Sequence, residues 1–105
     1  MYRFIVSFRL HKRSEDDTEY YMERYDKIKK YILDIGIEIW TETTSFFAFK
    51  TLKGITDIKI GLLDCVNMEI DYVLIYQVDT KYYAEIGKEI HGMRIGRILD
   101  TSVRV

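Results

Sequence analysis

At 105 residues the chain has room for one domain, and its 48% hydrophobic content is that of a folded globule rather than a disordered chain. Its 16 basic and 17 acidic residues leave a formal net charge of −1, without the basic excess of a dedicated nucleic-acid binder. One cysteine excludes an intrachain disulfide; with no leader peptide in view and no stretch near the roughly 20 apolar residues of a membrane helix, the expected setting is a reducing cytoplasm away from membranes.

Along the first ten residues, Tyr2, Phe4, Val6, Phe8 and Leu10 alternate with Arg3, Ile5, Ser7 and Arg9. This period of two predicts a strand with one apolar face, expected to meet helices, and one mixed face. His11 to Asp17 is a charged loop, where Ser14 or Asp17 is placed to cap a helix and Glu15, Asp16, Asp17 and Glu19 suit the positive end of its dipole. Tyr21, Tyr25, Ile28, Ile32 and Ile35 then recur at helical spacing, widened by Met22 and Leu33. They predict an amphipathic helix of about five turns, with Gly36 at its C-terminal cap.

Residues 37–51 read as two strands joined through Thr43, Thr44 and Ser45. A second helix is expected to start at Thr56 or Asp57, with Ile55, Ile58, Leu62, Leu63 and Val66 on one face. Gly61 weakens that helix by about 1 kcal/mol relative to alanine. Tyr72 to Val78 is β-branched and aromatic without a breaker, a strong strand signal.

The order βαββαβ over residues 1–80 predicts an α+β, ferredoxin-like sandwich: an antiparallel sheet with two helices on one face. Residues 81–105 form a C-terminal extension, either part of the same domain or a dimer contact. Within it, Lys81 to Gly87 reads as a helical turn or a fifth edge strand, and Ile98 to Val105 as a final strand. The chain has no proline, so its turns fall to glycine, asparagine, aspartate and serine.

No catalytic, metal or cofactor motif stands out. The two histidines and one cysteine are far apart in sequence, unlike the short-spaced ligand pairs of zinc sites. His11 and His91 read as solvated surface residues. Cys65 reads as a small buried hydrophobe rather than a nucleophile. Asp71 and Asp79 bracket the last strand, and Gly87, Gly92 and Gly96 read as turns.

The open sheet face is the most informative surface. Arg3, Ile5, Ser7 and Arg9 line it, with Trp40 placed to join them. Basic and aromatic residues on a sheet can stack bases and hold phosphates, but the glycine-containing octamer of the RNA-recognition fold is missing. A dimer interface is the preferred reading. Tyr82, Tyr83 and Ile98 in the extension are candidate interface anchors, with packing of the tail itself an equal alternative for the two tyrosines.

Three segments carry a family resemblance: MYRFIVSFRL at the N-terminus, ETTSFFAFKT from Glu42 to Thr51, and DYVLIYQVD from Asp71 to Asp79. Over residues 1–80 the chain resembles the SinR-like proteins that share a fold with the small subunit of the CRISPR adaptation complex, the second of the Cas proteins. The resemblance implies a ferredoxin-like homodimer whose subunits share C-terminal strands. Some members of that wider group bind or cleave nucleic acid, with a carboxylate ending the first strand. Here Phe8, Arg9 and Leu10 stand at that place, and an arginine cannot hold a cation.

The expectation is therefore a non-catalytic homodimer, with nucleic acid as a candidate partner held by Arg3, Arg9, Lys12 and Arg13. The alternatives are a structural or regulatory protein-interaction module, and a divergent metal-dependent nuclease using Asp16, Asp17 or Asp79.

Overall fold

The computed structural model describes residues 1–90, 94–99 and 101–105; His91 and Gly92 lie outside the described residues. The class is α+β. Strand β1 (Tyr2–Arg9) leads through a 3₁₀ turn (Glu15–Asp17) into helix α1 (Thr18–Ile35). Strands β2 (Gly36–Thr43) and β3 (Phe46–Thr51) follow, then helix α2 (Ile55–Leu63) and strands β4 (Tyr72–Gln77), β5 (Tyr82–Gly87) and β6 (Val103–Arg104).

The six strands form one sheet in the order β2-β3-β1-β4-β5-β6. The first five are antiparallel to their neighbours. β6 runs parallel to β5, so the sheet is mixed rather than wholly antiparallel as expected. The reason is the connection: the chain crosses the sheet through a second 3₁₀ turn (Ile95–Arg97) before β6, instead of turning back in a hairpin. Lys81 to Gly87, left open from sequence, is a strand, and β5 and β6 extend the sheet begun by the first four.

The alternation of β1 decides which face is dry. Phe4, Val6 and Phe8 are buried with Phe47, Phe49, Val73, Ile75, Ala84 and Ile86 against Ile28 and Ile32 of α1 and Ile55, Ile58 and Leu62 of α2. Both helices thus cover the same face. Aromatic pairs knit its centre, Phe8 stacking on Phe47 with centroids 6.0 Å apart.

The ends of α1 fall where the sequence reading places them, but their capping chemistry differs. Asp17 sits at the N-cap of α1 without a side-chain capping bond. Its carboxylate instead accepts from Arg13 N at 3.2 Å and Arg13 Nε at 3.3 Å. Gly36 is the C-cap of α1, as expected, its N–H donating to Ile32 O; its φ is −79° rather than left-handed, and the helix passes directly into β2. α2 begins at Ile55 after Gly54, ahead of Thr56.

Gly61 has a packing reason that its helix propensity hides. A Cβ there would fall 2.2 Å from Tyr31 Cζ. The ring of Tyr31 lies across the bare glycine backbone and donates its hydroxyl to Asp57 O at 3.3 Å, bringing α1 and α2 together.

Candidate functional site

Neither α1 nor α2 lies on the second face of the sheet. Strand register places Arg3, Ile5, Ser7 and Arg9 of β1 in rows with Phe46, Ala48 and Lys50 of β3 and with Tyr72, Leu74 and Tyr76 of β4. Glu38 and Trp40 of β2 pair with Lys50 and Ala48. Tyr83 and Glu85 of β5 pair with Tyr76 and Leu74.

The C-terminal tail divides this face in two. Over β4 and β5 it lies on the sheet. Tyr83 is only 6% exposed, its hydroxyl close against Gly96. Val103 N donates to Lys81 O at 2.6 Å and Val105 N to Tyr83 O at 2.8 Å. Ile95 N donates to both oxygens of Glu89, at 3.1 and 3.0 Å. Arg104 Nε stands 3.9 Å from Glu85 Oε1. Over β2, β3 and β1 no described residue covers the face. A shallow groove of about 400 Å³ runs there among Arg3, Ile5, Trp40, Ala48, Lys50 and Val78. Trp40 is 47% and Val78 48% exposed. The indole meets Phe46 edge-on, centroids 5.8 Å apart, which fixes its orientation.

The four basic residues singled out from sequence do not form one patch. Arg3 and Arg9 lie at opposite ends of β1, about 20 Å apart at the rise of a strand. Lys12 Nζ is 3.7 Å from Glu15. Arg13 is bound to Asp17, and its hydrogen bond holds the Asp17 carboxyl below the usual range. Arg9 lies at the tail, over the ring of Tyr72 at 5.8 Å. Of the interface candidates, Tyr82 is 41% and Ile98 68% exposed, whereas Tyr83 is covered by its own chain and offers nothing to a partner while the tail is in place.

The carboxylates of the nuclease alternative are also apart. Asp16 and Asp17 follow the end of β1, while Asp79 accepts from Arg3 N at 3.4 Å near its start. Among the described residues no three His, Cys, Asp or Glu side chains group as metal ligands would. Cys65 is buried and donates to Gly61 O at 3.4 Å. Burial, then Asp64, push its thiol pKa up, so the nucleophilic thiolate is scarce at neutral pH.

Two polar clusters escaped the sequence reading. One is a buried network. Arg24 Nη1 donates to Asp71 Oδ1, Nη2 to His11 O at 2.9 Å and Nε to Tyr20 O at 3.3 Å. Asp71 also accepts from His11 N at 3.0 Å and Asn67 N at 2.9 Å. The side chains of Arg24 and Asp71 are 3% and 0% exposed. A signal was present: Arg24 stands four residues before Ile28 and eight before Ile32, on the stripe that faces the core.

The other cluster joins Tyr72, Glu85 and Glu89 at the tail. Tyr72 Oη donates to Glu85 Oε2 at 2.7 Å. Burial, then a hydrogen bond with Glu89, push the Glu85 pKa up, and the same bond, with Ile95 N–H, holds Glu89 down. Burial and the neighbouring Glu85 raise the Tyr72 phenol as well, so it stays a donor. The pairing of β4 with β5 sets Tyr72 beside Glu85, and Glu89 joins them just beyond β5, which no short motif in the sequence announces. No helix among the described residues is long and apolar enough to cross a membrane. The sequence matches no known family model and no curated protein.

Proposed function

We propose that the chain is a non-catalytic, ferredoxin-like homodimer of the SinR-like kind, joined through the bare half of its sheet face. The strand order β2-β3-β1-β4, antiparallel throughout and backed by two helices, supports the ferredoxin-like reading. The single observation that carries the interface is the groove itself: Ile5, Trp40, Ala48 and Val78 form a contiguous apolar surface that neither helix nor the described residues of the tail cover. Such a surface gains about 25 cal/mol for each Å² removed from water. Its rim bears both signs, with Lys50 Nζ 3.2 Å from Glu38 and Arg3 alongside. A twofold axis through the groove lets acid meet base across it.

Trp40 is the sole tryptophan, so its emission reports on this surface alone. Light scattering is expected to give twice the 12.6 kDa chain mass. Dilution should shift the emission to the red as the mass falls. Trp40→Glu should give a folded monomer, because a charge at the centre of an apolar interface is left desolvated and unpaired. A monomer at every concentration, or a Trp40→Glu protein that stays dimeric, would remove the interface from this face. A second reading places single-stranded nucleic acid on the same half, stacked on Trp40 between Arg3 and Lys50. A salt-dependent rise in mass with an added oligonucleotide would favour it.

A further inference from the structure

Where the tail crosses the sheet it leaves a cleft of about 220 Å³, lined by Ser7, Arg9, Tyr72, Leu74, Glu89, Ile95 and Ile98. That is about seven water volumes, room for a short chain or one ring. Leu74, Ile95 and Ile98 make its apolar wall.

The polar groups around the cleft are unequally satisfied. The Tyr72 hydroxyl is given to Glu85. Both oxygens of Glu89 receive Ile95 N–H. Arg9, by contrast, has no carboxylate partner among the described residues. Its hydrogen bond, from Nη2 to Lys88 O, is long at 3.5 Å, and its guanidinium otherwise lies over the Tyr72 ring. A guanidinium offers five donors in a planar fork that fits the two oxygens of a carboxylate. The Ser7 hydroxyl adds one more. The unfilled capacity of the cleft is thus mainly for an acceptor, beside an apolar wall.

We propose that this cleft binds a small carboxylate carrying a short apolar group, with Arg9 gripping the carboxylate and Leu74, Ile95 and Ile98 enclosing the apolar part. Two sources share that chemistry. A short fatty acid uses Arg9 alone. An apolar amino acid also brings an ammonium group, for which the remaining lone pairs of Glu89 are the available acceptor. The site lies on the tail-covered half of the face and does not depend on the dimer.

The test is an amide NMR titration of the full chain with hexanoate and with leucine, using hexanol as the neutral control. For ligands this small the expected Kd is about 0.1–10 mM. The shifts should centre on Ser7, Leu74, Ile95 and Ile98. Arg9→Gln should weaken hexanoate binding about tenfold or more, the loss expected for a charge-assisted hydrogen bond. Arg9→Lys, which keeps the charge and loses the fork, should fall between. Leucine binding that exceeds hexanoate and loses its advantage in Glu89→Gln assigns the amino acid; equal binding, indifferent to Glu89, assigns the simple carboxylate. Hexanol binding as well as hexanoate, an undiminished Arg9→Gln, or no shift at about 20 mM ligand would overturn the site.

Discussion

Replacing Asp71 with alanine is expected to lower the stability of this protein by about 3–5 kcal/mol, the usual cost of removing one partner from a buried ion pair. The loss has several parts. The Arg24 guanidinium stays buried, with two carbonyl oxygens and no counter-charge. The N–H groups of His11 and Asn67 lose their acceptor, at about 1–3 kcal/mol for each that finds no water. A domain of this size has roughly 5–15 kcal/mol in all, so the loss is a large fraction of the total and should show as a clear fall in the denaturation midpoint. Urea denaturation followed by circular dichroism measures this directly. Asp71→Asn keeps an acceptor and should lose less. The double variant Arg24→Met/Asp71→Ala should lose less than the two single changes summed, because it removes both buried charges together. A shift under about 1 kcal/mol for Asp71→Ala would mean that the network is open to water.

Gly87→Ala should be nearly as damaging, for a reason that lies in the backbone. Gly87 ends β5 with a φ of +85°, the positive-φ glycine among the described residues. An L-residue there carries about 1–3 kcal/mol of strain. The space is also taken: a Cβ would fall 2.0 Å from the Asp71 carbonyl oxygen, a main-chain atom just before β4 that has no rotamer to change. β5 must then pull away from β4, and the tail anchored on β5 goes with it. A loss of about 3 kcal/mol or more is expected in the same denaturation experiment. Gly54→Ala is the natural control, since no atom lies within 4 Å of the added methyl, and should cost under about 1 kcal/mol. Equal losses at both positions would show that clash and strain at Gly87 are relieved locally.

Much of the framework was legible because it follows from periodicity. The even residues of β1 face the helices, and the stripe from Tyr21 to Ile35 marks α1. What escaped depends on partners distant in the chain. Arg24 was visible as a charge on a core stripe, but its partner Asp71 lies 47 residues on, in a loop whose course no local pattern predicts. Gly61 reads as a weak point in a helix until Tyr31 is known to lie across it. Arg3 and Arg9 share a face, as alternation requires, yet stand at opposite ends of it. Lys12 and Arg13 are consumed by acids three and four residues away, a pairing their spacing already allowed. The division of the face into a covered and a bare half arises from the tail, whose path follows no hydrophobic period.

The seam between β5 and β6 is two residues long. Local opening takes place first where backbone bonds are few and exposed, at a free energy well below that of global unfolding. The tail should therefore lift from the sheet and return many times while β1 to β4 stay folded. Amide exchange at Val103 and Val105 should run orders of magnitude faster than at Val6 or Ile75, whose side chains are fully buried. In each excursion Tyr83 and the cleft beside Arg9 meet water. The covered half of the sheet is thus a surface this molecule presents part of the time, at a frequency set by a handful of hydrogen bonds.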